Sequence, residues 1–207
     1  MTKIKICGIT NLDDALCAEK LGADYIGFNF YIGSSRYIGA SKAKKIISKL
    51  PDGIKIVGVF VNDDIEKIKV ISSQCNLDII QLSGNENKKF VSELKKKIKI
   101  PIIKSIRIKN RVYKKSKNTI KQYNSDYILL DTFKKEFYGG TGETFDLDAA
   151  KQFDSARLFL SGGLNAANVK TAIKKVNPFA VDVCSGVEIS HGKKDFDKLK
   201  NFIEAAK

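Results

Sequence analysis

Residues 3–30 read KIKICGITNLDDALCAEKLGADYIGFNF. At the start, Lys3, Lys5 and Cys7 alternate with Ile4 and Ile6, the period of two that marks a β-strand. Asn11 then stands where a helix N-cap belongs, Asp13 and Asp14 fall in the first turn, where the helix dipole favours acids, and Gly22 follows the last helical residue. A second strand-like run, DYIGFNF, begins at Asp24. Strand, helix and strand in so short a space predict a βαβ unit.

The same alternation continues down the chain. Further strand-like runs are IKIVGVFV from Ile54, LDIIQL from Leu77, PIIKSIRI from Pro101, DYILLDT from Asp126, ARLFLS from Ala156 and FAVDVCS from Phe179, eight strands in all. Val91, Leu94 and Ile98 recur at helical spacing, as do Val169, Ala172, Ile173 and Val176 behind an Asn165 cap. Shorter helical patterns occupy SKAKKIISKL, NDDIEKIKVI, KSKNTIKQY, DLDAAKQF and DFDKLKNFIEAA. Eight units in 207 residues give about 26 residues each, the compact limit of a closed (β/α)₈ barrel of the TIM type. An open doubly wound sheet is the competing architecture, but no GxGxxG follows the first strand and the repeat runs evenly to the end. No linker or low-complexity tract interrupts it, so residues 1–207 are expected to form one α/β domain.

Composition narrows the function. With 43% hydrophobic and 29% charged residues the chain reads as an ordinary soluble protein. No run of about 18 apolar residues occurs, and the N-terminus enters a strand without an apolar signal segment. A cytoplasmic location with no membrane partner is expected. The net charge of +14 raises the question of nucleic acid. Only Arg36, Arg107, Arg111 and Arg157 among the 37 basic residues are arginine, and the lysines fall on the polar sides of helices, so no nucleic-acid partner is expected. Cys7, Cys17, Cys75 and Cys184 show no CxxC pair and are read as thiols. His191 is the single histidine, which removes most His-ligated metal sites and argues against a Ser-His-Asp triad, though one histidine could still serve a Cys nucleophile.

A barrel carries its chemistry at the C-terminal ends of its strands. In order these ends are Cys7-Gly8, Phe30 to Arg36, Asn62, Gln81, Arg107, Asp131, Ser161-Gly162-Gly163 and Ser185-Gly186. The set is polar and glycine-rich, with one thiol and one carboxylate. Gly139, Gly140, Thr141 and Gly142 in FYGGTGETF, Gly162 and Gly163 in LSGGLN, and Ser185 and Gly186 in CSGVE permit close backbone approach to a phosphate. The last two loops follow strands 7 and 8, where phosphate-binding barrels place their anion site.

Together KICGIT, SRYI, GVFVN, LLDT, GGTGETFD, LSGGLN, AVDVCSGVE and GKKD resemble the phosphoribosylanthranilate isomerase family over essentially the whole chain and in order. The resemblance implies a cofactor-free and metal-free Amadori rearrangement of a phosphosugar substrate, N-(5-phosphoribosyl)anthranilate, by a monomer or homodimer. It gives Asp131 the role of general acid, protonating the ribose ring oxygen, and Cys7 that of general base, taking the C2′ proton of the resulting Schiff base. Asp131 then needs an upward pKa shift to hold its proton. By the same resemblance Arg36 clamps the anthranilate carboxylate, for which a guanidinium fork is suited. Cys17 and Cys75 are read as structural, and Cys184, where the family commonly has serine, as a neutral small residue.

Alternation along strand 1 adds one expectation of its own. If Cys7 faces the barrel interior, so does Lys5, which then needs a partner. Strand 8 closes beside strand 1, and Asp182 is the natural candidate for a pair that tunes the thiol. The chain departs from the family at Tyr31-Ile32-Gly33-Ser34, which replaces a Tyr-Pro-Lys-Ser run and leaves the loop freer, and at Ser83, which replaces a histidine. His191 stands in for a common proline and is read as a solvated loop residue. Other phosphosugar barrels would share the phosphate loops but should lack the Cys7 and Asp131 pairing, and a basic binding protein would need a contiguous lysine patch.

Overall fold

In the computed structural model, which describes residues 1–107, 119–131 and 147–207, each of the eight apolar runs forms a strand. The strands are β1 (Lys3–Cys7), β2 (Tyr25–Asn29), β3 (Lys55–Phe60), β4 (Ile79–Leu82), β5 (Ile102–Arg107), β6 (Tyr127–Asp131), β7 (Leu158–Ser161) and β8 (Ala180–Val183). The helices are α1 (Leu12–Leu21), α2 (Ala40–Ile47), α3 (Ile65–Gln74), α4 (Lys88–Lys97), α5 (Thr119–Tyr123), α6 (Leu147–Ala150), α7 (Val169–Val176) and α8 (Phe196–Ala206). All eight strands run parallel in sequence order, and β8 pairs with β1 to close a (β/α)₈ barrel. A short antiparallel hairpin, β9 (Glu188–Ser190) with β10 (Lys193–Lys194), lies between β8 and α8.

Local signals account for the helix ends. Asn11 accepts the Asp14 N–H and Gly22, at φ 98°, donates to Ala18 and Glu19, so α1 is capped as the sequence predicts. The cap expected at Asn165 moves to Asn168. Asn165 spends its side-chain oxygen on the Ala167 N–H in a turn of its own, Asn168 Oδ1 accepts the Asn165 N–H, and α7 starts at Val169. Ile98 likewise stands just beyond α4 in extended backbone.

Alternation sorts the strand residues. Ile4, Ile6, Ile26, Phe28, Leu160 and Val181 face the helices in the larger core. Tyr25, Val57, Ile79, Ile103, Leu129, Phe159 and Ala180 fill the barrel interior, with Tyr25 and Tyr127 edge-on to Phe159. Burial of both strand faces explains the near-continuous apolar runs. Two residues further along, the interior turns polar. Ile79 gives way to Gln81, Leu129 to Asp131, Phe159 to Ser161 and Ala180 to Asp182.

Three aspartates brace the opposite end of the barrel. Asp24, Asp78 and Asp126 stand just before β2, β4 and β6, and each accepts a backbone N–H from the preceding strand, Ile4, Ile56 and Ile102, at 2.8 Å. Their second oxygens accept from Lys3, Lys55 and Lys95. The exposed ion pairs add little, whereas each bond to a carboxylate satisfies an N–H at the foot of the sheet.

Lys104 of β5 points into protein rather than water. Only 3% of its side chain is exposed, and its ammonium meets Glu86 Oε2 at 2.8 Å and the Gly84 carbonyl at 2.7 Å. Glu86 Oε1 accepts the N–H groups of Asn62 and Gly84, so this pair fastens the loops after β3 and β4 together. Glu86→Ala is expected to lower the unfolding free energy by about 3 kcal/mol, because the lysine is left charged and buried. Urea denaturation checks this, and an unshifted midpoint would deny the pair its bracing role. Among the described residues, no helix is long and apolar enough to cross a membrane.

Candidate active site

The polar interior layer opens at the C-terminal ends of the strands. Lys5 and Asp182 are register partners on β1 and β8, and Lys5 Nζ donates to Asp182 Oδ1 at 2.6 Å with neither group appreciably exposed. The pair expected from alternation and closure is present. Ser161 of β7 donates to Asp182 Oδ2 at 2.9 Å. Lys5 and Cys7 stand on the same face of β1, two residues apart. Burial presses the Lys5 ammonium toward neutrality, but the charge of Asp182, aided by its hydrogen bond and by Cys7, outweighs that and lifts its pKa above the ordinary lysine value. Gly27 makes the room. A Cβ there would fall 2.9 Å from Cys7 Sγ and 3.3 Å from Lys5 Nζ.

Asp131 ends β6 half-buried, in register with Ser161. A polar band therefore runs round the rim from Asp131 through Ser161 and Asp182 to Lys5 and Cys7. Strands β6 and β1 are three steps apart, roughly 14 Å along the rim at about 4.8 Å per step, so the carboxyl and the thiol face each other across the mouth.

Arg36, in the loop after β2, is held by Glu188 of β9. Its Nε donates to both carboxylate oxygens at 2.9 and 3.1 Å and its Nη2 to Oε2 at 2.6 Å. The outer edge of the guanidinium meets exposed groups, Ser35 Oγ from Nη1 and His191 Nδ1 from Nη2. His191 is exposed, as expected, yet it touches the arginine. Lys194 of β10 completes the cluster. Its ammonium donates to Glu188 Oε1 at 3.0 Å, to the Cys7 carbonyl at 2.6 Å and to the Cys184 carbonyl at 3.3 Å. Burial works against the Glu188 charge, but the Arg36 hydrogen bonds and Lys194 prevail and hold its pKa below the ordinary value.

Glu188 and Lys194 went unassigned in the sequence, although they lie inside GVE and GKKD. A hairpin this short carries no readable periodicity, and only the fold brings it over Arg36. The loop bearing Arg36 is stitched by Asn29 and Ser34: Asn29 Nδ2 donates to Ser34 Oγ, and the Tyr31 and Arg36 N–H groups donate to Asn29 Oδ1 and Ser34 Oγ. These bonds stand where the absent proline suggested a freer loop. Ser83 accepts from Gln81 Nε2 at 3.1 Å.

The candidate phosphate loops after β7 and β8 adjoin. Gly162 and Gly163 take φ of 98° and 68°, conformations that favour glycine. A Cβ on Gly186 would lie 2.0 Å from the Leu164 carbonyl oxygen, so Gly186 packs directly on the residue that follows the Gly162-Gly163 turn. Gly140, Thr141 and Gly142 lie outside the described residues. Cys17 sits half-buried on α1, and Cys75 is buried at the end of α3 with its thiol toward the Ala40 carbonyl. Among the described residues, no group of three or more His, Cys, Asp and Glu side chains is placed to hold a metal ion.

Residues 4–205 match the family model described as N-(5'phosphoribosyl)anthranilate (PRA) isomerase. The N-(5'-phosphoribosyl)anthranilate isomerase of Thermotoga petrophila is 47% identical over 212 aligned residues, covering 100% of this chain and 99% of the relative. The crystal structure of phosphoribosyl anthranilate isomerase from Thermotoga maritima superposes with a TM-score of 0.85 at 44% identity, covering 100% of this chain and 98% of that one. A phosphoribosyl anthranilate isomerase solved in complex with reduced 1-(o-carboxyphenylamino)-1-deoxyribulose 5-phosphate gives a TM-score of 0.83 at 40% identity, with 100% and 98% covered. Sequence and topology thus lead to one assignment, and the chain belongs to the N-(5'-phosphoribosyl)anthranilate isomerase family.

Proposed function

We propose that residues 1–207 form one catalytic domain that isomerises N-(5-phosphoribosyl)anthranilate to 1-(2-carboxyphenylamino)-1-deoxyribulose 5-phosphate. The observation that carries the reading is the pair of reactive groups facing each other over one polar rim, Asp131 ending β6 and Cys7 ending β1. Asp131 donates a proton to the ribose ring oxygen, the C1′–O bond breaks, and the anthranilate nitrogen is left as a protonated Schiff base. That iminium acidifies the C2′–H. Cys7 takes the C2′ proton as thiolate, with the Lys5 ammonium beside it as counter-charge, and the enolamine then gains a proton at C1′ as its 2′-hydroxyl gives one up, which leaves the ketone.

Binding follows from the ends of the substrate. The adjoining turns at Gly162-Gly163 and Ser185-Gly186 receive the phosphate, with Gly140, Thr141 and Gly142 expected to join them. Arg36 presents its outer guanidinium edge to the anthranilate carboxylate while Glu188 holds the inner edge, so the fork is fixed before substrate arrives.

The direct test follows anthranilate fluorescence as purified protein meets freshly generated N-(5-phosphoribosyl)anthranilate, without added metal or cofactor. Turnover is expected; a folded protein that leaves this substrate untouched refutes the proposal. A second prediction concerns the tuning pair. In Asp182→Asn the largest influence left on Lys5 is burial, which lowers its pKa. The lysine then loses its charge at lower pH, and the alkaline limb of kcat/KM is expected to move to lower pH in a variant that still folds. Superimposable pH profiles for the two proteins would reject a tuning role.

A further inference from the structure

Two cysteines follow neighbouring strands at the mouth of the barrel. Ile6 of β1 and Val183 of β8 are register partners facing the outer core, and Cys7 and Cys184 are the residues that follow them on the two neighbouring chains. Parallel neighbours of this kind lie about 5 Å apart at Cα, inside the roughly 4.4–6.8 Å range of a disulfide. The buried Lys194 ammonium bonds both of their carbonyls, at 2.6 Å to Cys7 and 3.3 Å to Cys184, and so clamps the two backbones together. The Cys184 thiol leans toward its neighbour strand. A Cβ on Gly8, the residue after Cys7, would lie 2.8 Å from Cys184 Sγ.

We propose that Cys7 and Cys184 form a reversible intramolecular disulfide when the protein meets a hydroperoxide. In the first step the Cys7 thiolate attacks the peroxide, a sulfur–oxygen bond forms as the oxygen–oxygen bond breaks, and an alcohol or water leaves with a proton. Cys7 is now a sulfenic acid. Cys184 sulfur then attacks Cys7 sulfur, the sulfur–sulfur bond forms, and the sulfenic oxygen leaves as water with the Cys184 proton. Overall two thiols are oxidised by two electrons and one peroxide is reduced.

The surroundings suit this order. Cys7 is half-exposed beside the Lys5 ammonium, whereas burial, with the negative charge of a neighbouring Cys7 thiolate added, pushes the Cys184 thiol up to about 12. Oxidation of Cys7 to a neutral sulfenic acid removes that second cause while the opposing Lys194 and Arg36 charges stay. Cys184 is therefore the resolving thiol and Cys7 the one attacked. Loss of turnover on oxidation rests on reading Cys7 as the base; the disulfide itself does not.

The test treats reduced protein with hydrogen peroxide, removes the excess, caps remaining thiols in denaturant and maps the peptides by mass. Two of the four cysteines are expected to resist capping, and the peptides bearing Cys7 and Cys184 to be joined with the loss of two hydrogens. Turnover should fall on oxidation and return with dithiothreitol. In Cys184→Ser no cross-link forms, and Cys7 goes on to sulfinic acid, so the thiol reductant does not restore turnover. Four capped cysteines in the wild type, a link from Cys7 to Cys17, Cys75 or a second chain, or full recovery in Cys184→Ser would each overturn the proposal. The peptide map decides it even for a protein that turns over no phosphoribosylanthranilate.

Discussion

Cys7→Ser is expected to lower kcat by roughly 10³-fold, about 4 kcal/mol of barrier, while KM stays within a few-fold of wild type. The hydroxyl keeps the size of the thiol but gives up its proton only far above neutral pH, so it cannot serve as the base. Lys5 and Asp182 remain paired beneath it at 2.6 Å, and nothing that binds substrate is removed. Steady-state fluorescence gives the rate. Substrate carrying deuterium at C2′ identifies the step: breaking that bond becomes rate-limiting, and deuterium should slow the variant strongly. A kcat near that of wild type would take the base role from Cys7.

Asp131→Asn is expected to cost a similar factor, roughly 10³-fold in kcat. The amide occupies the same space in register with Ser161 but has no proton to transfer to the ring oxygen. Ring opening then limits turnover, before C2′ is reached, and deuterium there should have almost no effect. The two variants thus separate the roles although both are slow. If the isotope effect appears in Asp131→Asn and vanishes in Cys7→Ser, the acid and the base have been exchanged. A reduced, unreactive product analogue should bind both variants as it binds wild type, since neither side chain is assigned to the phosphate or the carboxylate.

The strands were legible because a parallel barrel buries both faces, and runs such as IKIVGVFV or DYILLD bounded by turn residues have few other uses. Lys5 with Asp182 was legible for a geometric reason. A lysine in phase with an interior cysteine needs a partner, and ring closure fixes which strand must supply it. Glu188 and Lys194 were not legible as a cluster, because their hairpin pairs only a few residues and its meaning lies in what it covers. The Lys104 and Glu86 pair was hidden for another reason: lysine in a lysine-rich chain reads as surface, and only the loops after β3 and β4 enclose it. At Asn165 and Asn168 two residues with the same capping chemistry stood three apart, and local hydrogen bonding decided between them.

The aspartates before β2, β4 and β6 imply a grain in the barrel. Each carboxylate grips a strand one unit earlier, tying β1 to β2, β3 to β4 and β5 to β6, while among the described residues the seams β2 to β3 and β4 to β5 carry no counterpart of this kind. The chain is therefore divisible in steps of two. A fragment ending after α2 or α4 retains every such grip it contains, whereas one ending after α1, α3 or α5 parts a carboxylate from the N–H it serves. Even-numbered blocks are thus the natural units for splitting, permuting or recombining this barrel.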